Sequence, residues 1–153
     1  MTTAETDAVE REVRIEARPE TVFPFFTDPD RMVRWMGASV EVDPRSGGIY
    51  RVNINGGRVV RGEYVEVSSP HRVVLTWGWE TEDSPVRPGS STVEVTLTPD
   101  GDHTIVRLVH SDLPSGESAT AHGVGWDHYL PRLEIAAAGG DPGPDPWAAT
   151  DAD

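Results

Sequence analysis

Residues 114–138 read P-S-G-E-S-A-T-A-H-G-V-G-W-D-H-Y-L-P-R-L-E-I-A-A-A. Within them His122, Trp126, Tyr129, Leu130, Leu133 and Ala137 recur at spacings of three and four, which places them on a single stripe of a helix. Gly139-Gly140 supplies the stop. Such a helix, about 30 Å long for ~20 residues, is apolar on one side only and needs a second layer to bury that side. Gly123 and Gly125 each cost about 1 kcal/mol relative to alanine inside it, and Pro131 removes a hydrogen bond, so the helix is expected to bend. A lid that loosens to admit a ligand and a close approach of helix to sheet at the glycines would each account for them.

The second layer lies upstream. Thr92 to Thr98 alternates polar and apolar residues without a break and turns Val93, Val95 and Leu97 to one side. Ser39–Val42, Ile49–Ile54, Arg58–Val67, Arg72–Trp79, Ser91–Thr98 and His103–His110 read as strands bounded by turn clusters. Connections this short imply antiparallel neighbours, because parallel strands need crossovers of about a dozen residues or more. Val9–Ala17 is a further half-buried strand, with Val9, Val13, Ile15 and Ala17 at alternate positions. Pro19 and Pro29 then suit the first turns of two short helices carrying Val22, Phe23, Phe25 and Phe26, then Trp35 and Met36. The fold class is therefore α+β: a curved seven-stranded antiparallel sheet, two short helices and a long C-terminal helix. The domain is placed at 9–138, after a flexible N-terminus at 1–8. Residues 139–153, rich in proline, glycine and acid, are expected to form a loose tail in which Trp147 is mostly mobile.

A chain of 153 residues has room for one domain. No apolar run approaches the ~20 residues that cross a bilayer, so no membrane insertion is expected. The first twelve residues have neither a basic start nor an apolar core, and there is no cysteine; a cytoplasmic location without disulfides or thiol ligands is expected. The formal charge is −13, with arginine as the only lysine-class cation. That balance repels phosphate backbones, and the arginines are scattered from Arg11 to Arg132 without a concentrated patch, so nucleic acid is excluded as a partner. The absence of lysine rules out lysine Schiff-base chemistry.

A twisted sheet with one helix laid across it leaves space between the two layers. By strand parity Tyr50, Val52 and Ile54 share a face, as do Val93, Val95 and Leu97, and Val106, Leu108 and His110; parity in Arg58–Val67 is ambiguous. Trp77 and Trp79 lie on one side of their strand, while Trp126 and Tyr129 look down from the helix. Such rings give apolar area with a polar hydrogen at one end, suited to an apolar guest with a few polar groups, and equally suited to plain core. His110 ends a strand and His122 begins the helical stripe, with Asp112 and Asp127 nearby in sequence, and either histidine could handle protons or could be structural.

The remaining chemistry-bearing patterns are absent. The five histidines show no dense ligand spacing, so no metal or other cofactor is expected. Gly47-Gly48 and Gly56-Gly57 fall in predicted hairpin turns and not in a phosphate loop. No Gly-x-Ser-x-Gly elbow exists.

Several segments together resemble a known family: Ile15-Glu16-Ala17-Arg18-Pro19-Glu20-Thr21-Val22-Phe23, Thr27-Asp28-Pro29 with Trp35, Gly47-Gly48-Ile49-Tyr50-Arg51, Gly62 to Val67, Val74-Leu75-Thr76-Trp77, and His122-x-x-Gly125-Trp126-x-x-Tyr129-Leu130-x-x-Leu133. They are similar to the Hsp90-ATPase-activator-homologue branch of the START-like (SRPBCC, Bet v 1-like) superfamily, over about Val9 to Leu133. The resemblance implies the helix-grip fold. It also implies a choice among lipid and hormone carriage, polyketide cyclisation or aromatisation, Hsp90 co-chaperone work and self-resistance by capture of enediyne antibiotics; fold alone does not choose. The expected function is binding of a hydrophobic or polycyclic small molecule between sheet and helix, in natural-product metabolism or self-resistance. The alternatives are a cyclase or aromatase using His110, His122 or Tyr64, and a chaperone-binding module. The expected ligand-binding residues are Trp35, Tyr50, Val52, Tyr64, Trp77, Trp79, Val93, Val95, His110, His122, Trp126 and Tyr129.

Overall fold

The computed structural model describes residues 7–55, 58–81 and 83–149. The expected flexible start falls mostly at residues 1–6, and the hairpin glycines Gly56 and Gly57 likewise lie outside the described residues. The elements run β1 (Asp7–Ile15), α1 (Pro19–Val22), a 3₁₀ turn (Phe23–Phe26), α2 (Pro29–Met32), β2 (Ser39–Val42), β3 (Ile49–Asn55), β4 (Arg58–Ser68), β5 (Arg72–Trp77), β6 (Ser91–Asp100), β7 (His103–Leu113), α3 (Gly116–Ala137) and α4 (Pro146–Ala149). The seven strands form one open antiparallel sheet in the order β1-β7-β6-β5-β4-β3-β2. β2 to β7 are a plain meander, and β1 closes the far edge against β7, Val13 opposite Val106.

Local chemistry sets the ends of the elements. The Asp28 carboxylate accepts the Asp30 amide at 3.0 Å and starts α2; the Ser115 hydroxyl accepts the Ser118 amide at 3.1 Å and starts α3. Gly139 leaves α3 at φ +96°, a conformation costly for any residue with a Cβ. Pro131 lies inside α3, which continues through it to Ala137.

Burial follows the alternation. Tyr50, Val52 and Ile54 of β3, Val93, Val95 and Leu97 of β6, and Val106, Leu108 and His110 of β7 are all buried. The parity of β4 resolves in favour of Val60 and Tyr64, both fully buried, and a register shift after Tyr64 ends that alternation. β5 stops at Trp77, two residues early, because the chain folds back there: a Cβ on Gly78 would lie 1.8 Å from the Arg87 carbonyl oxygen. Trp79 is held beyond the strand by its amide to Val86 O, 2.8 Å, and by an isolated bridge to Val60.

The helix α3 approaches the sheet at β1 and β7 and stands away from β3 to β5. At Gly123 a Cβ would come within 2.9 Å of the Arg11 guanidinium, so that glycine marks a close approach to β1. At Gly125 a Cβ would meet nothing within 4 Å. Residues after Gly139 lie against the body over their described length, ending in α4 beside β3. No helix among the described residues is long and apolar enough to cross a membrane.

Candidate functional site

The helix stands off the sheet where the aromatic residues gather. Trp77 and Trp126 have ring centres 5.1 Å apart, Trp77 and Trp79 6.0 Å, and His110 and His122 4.9 Å. Hydrogen bonds fix the state of both imidazoles. The Trp126 indole N–H donates to His110 Nδ1 at 3.1 Å; the Ser91 hydroxyl donates to the Trp77 carbonyl at 2.8 Å and therefore accepts from His110 Nε2, 2.9 Å away. His110 thus carries its proton on Nε2. His122 is the opposite tautomer: its Nδ1 faces the Ser118 carbonyl at 2.8 Å and must donate, while Nε2 accepts the Trp79 indole N–H at 3.1 Å.

Both rings are held neutral. Burial first, and the neighbouring His122 second, pull His110 down to a pKa of about 3. Burial also lowers His122; the Ser118 carbonyl opposes this, and the charge of Arg58 adds to it. Each lone pair that a general base would use already receives an indole proton. The two histidines are the acceptors for two indole hydrogens, on buried Trp126 and on half-buried Trp79. Tyr64 is likewise committed, donating to the Phe26 carbonyl at 2.9 Å, with its ionisation suppressed by burial.

Beside this cluster lies a cavity of about 150 Å³ lined by Ile54, Arg58, Trp77, Trp79, Ala121, His122, Gly125, Trp126, Tyr129 and Trp147. Five of the residues expected from sequence therefore meet there: Trp77, Trp79, His122, Trp126 and Tyr129. The others do not reach it. Trp35, whose indole donates to Phe25 O at 2.9 Å, and Tyr50, Val52, Tyr64, Val93, Val95 and His110 are packed into the surrounding core. A strand face has a fixed direction, but only the residues opposite the gap under α3 meet empty space.

Sequence reasoning missed Arg58, Ala121, Gly125 and Trp147 as wall residues. Arg58 begins β4 and lays its guanidinium over the Trp79 ring, 4.8 Å from its centre. Arg58, Trp79, Ala121 and His122 also border an outer recess of about 530 Å³ reaching Thr81, Ser84 to Val86, Glu117 and Ser118, so they form the rim between the two. Trp147 closes the opposite side. It stacks on His128 at 3.9 Å and 8°, and meets Tyr129 edge-on at 5.5 Å.

The segment carrying Trp147 is tied down by buried polar contacts. Asp145 accepts from His128 Nε2 at 2.9 Å and from the Trp147 amide at 2.9 Å. Burial would raise the Asp145 pKa, but these bonds, together with the nearby Tyr129 hydroxyl and Gly37 amide, bring it below the usual value. Arg132, buried on α3, donates to the carbonyls of Trp35 and Gly143 at 3.1 and 2.8 Å, with longer contacts to Arg34, Pro142 and Pro144. The signal for this strap was a charged residue at a buried helical position, visible only once the helix face was known. No group of three or more metal-ligating side chains occurs among the described residues.

The profile of the family described as "Activator of Hsp90 ATPase homolog 1-like protein" matches residues 16–138. The fold is shared with an AHSA1-like protein from Rhizobium etli, 48% identical, with a TM-score of 0.74 over 93% of this chain and 88% of that one. It is shared also with CalU16 from Micromonospora echinospora, 28% identical, TM-score 0.73, covering 91% of this chain and 78% of that one. DynU16, a protein of the dynemicin biosynthetic locus, is 25% identical with a TM-score of 0.77; the match covers 89% of this chain and 49% of that one. No curated protein sequence matches. With the profile matched from residue 16 to 138 and nearly half the residues shared with the Rhizobium protein, this chain belongs to the Activator of Hsp90 ATPase homolog 1-like family.

Proposed function

We propose that the chain binds a hydrophobic small molecule in the cavity between the sheet and α3. The observation that carries this reading is the space itself, about 150 Å³ walled mainly by Ile54, the side chains of four tryptophans and one tyrosine, and His122. A sealed void of that size would cost about 3 to 4 kcal/mol at ~24 cal/mol per Å³, a large part of a typical stability of ~5–15 kcal/mol. The open rim lowers that cost. Nevertheless, a leucine at position 125 could fill the space, and the chain has glycine there, with nothing within 4 Å of where a Cβ would stand. A cavity of this kind accepts one benzene-sized ring; a polycyclic guest requires Trp147 to move.

The family resemblance and the dynemicin-locus neighbour support natural-product metabolism or self-resistance as the setting. Chaperone work has the family description and a similar HSP90 activator from Plasmodium falciparum, 26% identical, behind it. A cyclase or aromatase reading needs a base other than His110 or His122, whose lone pairs are engaged.

The binding reading is tested by titrating small aromatic compounds into labelled protein and following amide and indole resonances. Shifts centred on Trp77, Trp126, Tyr129 and Gly125 are expected, and the Gly125→Leu protein, folded by its spectrum, should lose them. Shifts confined to the outer surface, or no response to any apolar compound, would overturn the proposal.

A further inference from the structure

We infer that the occupant is a compact aromatic acid, with its single ring among Trp77, Trp126 and Tyr129 and its carboxylate held at the rim by Arg58. This rests on the binding role proposed above and names the ligand class for that site.

Three observations lead to it. The first is size: about 150 Å³ admits one ring and leaves little for a second. The second is the polar character of the wall. The Trp126 and Trp79 indole hydrogens are spent on His110 and His122, which consumes the imidazole acceptors. The Trp77 indole N–H and the Tyr129 hydroxyl, the latter turned toward Asp145, are enclosed among their neighbours. With those acceptors used, neither imidazole is left to accept from a guest, and the charged donor that borders the cavity is Arg58, which suits a guest that brings acceptors.

The third is the placement of Arg58. The chain has thirteen arginines against twenty-six acids. Eight of the thirteen pair with carboxylates: Arg11, Arg14, Arg18, Arg31, Arg45, Arg51, Arg72 and Arg107. Arg87 and Arg132 donate to backbone carbonyls, and of the remaining three, Arg34, Arg58 and Arg61, Arg58 is the one that borders the cavity. Arg58 sits instead on the Trp79 face, bordering both the cavity and the outer recess, and among the described residues no carboxylate lies within ion-pair distance of it. Glu117 borders the same recess without pairing with it. The charge of Arg58 is felt inside, where it disfavours protonation of His122 and opposes the rise in the Tyr129 pKa. In a chain of net charge −13, a cation at the mouth of an apolar cavity is the element that allows an anion to approach. Its planar guanidinium, steadied by the indole beneath it, has the fork that fits a carboxylate.

The test compares 3-phenylpropionate with its neutral counterpart 3-phenylpropan-1-ol, in wild type and in Arg58→Gln, by calorimetry at low salt with indole N–H resonances as the site marker. Wild type should bind the acid at least about fivefold more tightly than the alcohol, with a shift of the Trp77 indole signal, and added salt should shrink that ratio. Arg58→Gln, an exposed substitution, should bring the ratio of acid to alcohol affinity to about one. Equal affinities in wild type, an unchanged ratio in Arg58→Gln, or acid-induced shifts away from the cavity would overturn the assignment of Arg58 and leave the binding role standing. Failure of both compounds to bind would overturn both.

Discussion

At His110 the chain carries an imidazole whose two nitrogens are committed in opposite senses, one accepting from Trp126 and the other donating to Ser91. Protonating it would turn the Trp126 contact into two hydrogens facing each other in a buried site. Its folded pKa, about 3, lies below the ordinary value of 6.5. Between those two limits the unfolded chain holds the proton and the folded chain does not, so stability rises with pH across the window and is lost as pH falls through it. A single such group contributes a slope of about 1.4 kcal/mol per pH unit. In urea unfolding between pH 6.5 and 4, His110→Gln should show a shallower decline than wild type, because an amide can accept the indole hydrogen without titrating. Identical slopes would mean that His110 is not what resists the proton. His122, also depressed, remains in both proteins and cancels from the comparison.

Among elements, α3 was the most legible in sequence and still hid its most connected residue. The apolar stripe places Trp126, Tyr129, Leu130, Leu133 and Ala137 inward, and all five are buried. Arg132 is buried as well, because its guanidinium is enclosed by carbonyls contributed by residues 34–35 and 142–144. Those partners are nearly a hundred residues away on one side and lie past the end of the helix on the other, so no local pattern points to them. Arg132→Met keeps much of the side-chain volume and leaves those carbonyls without their donor. A loss of about 2 to 4 kcal/mol is expected in denaturant unfolding, since a hydrogen bond to a charged group contributes ~1.5–3 kcal/mol net and the carbonyls left behind can be partly rehydrated. The His128 ring protons should at the same time lose the upfield shift imposed by stacked Trp147. Unchanged stability and an unchanged His128 signal would show that Arg132 does not hold the strap.

For the molecule as a whole, the strap decides how large the cavity is. Trp147 closes it opposite Arg58, held by the Asn55 amide at 3.3 Å and by the Asp145–His128 pair. Ending the chain after Gly140 removes that wall and leaves α3 complete. The shortened protein is expected to gain affinity for a two-ring acid such as 2-naphthylacetate by about tenfold relative to 3-phenylpropionate, one decade corresponding to ~1.4 kcal/mol. An unchanged ratio in calorimetric titrations would mean that Trp147 does not limit guest size.

The sequence by itself determined the seven strands, their antiparallel order from β2 to β7, the final helix and its inward face, because those follow from periodicity and from turn chemistry within a few residues. It also brought forward Trp77, Trp79, His122, Trp126 and Tyr129. It did not separate them from Trp35, Tyr50, Val52, Tyr64, Val93, Val95 and His110, since a residue facing a cavity and a residue facing core share the same alternation. Only the tertiary structure made that distinction, by standing α3 off β3 to β5 and laying residues 142–147 across the gap. The same step turned the helical glycines from one question into two answers, Gly123 beside Arg11 and Gly125 over empty space. Periodicity records which side of an element faces inward; what lies on that side is set by packing between elements distant in the chain.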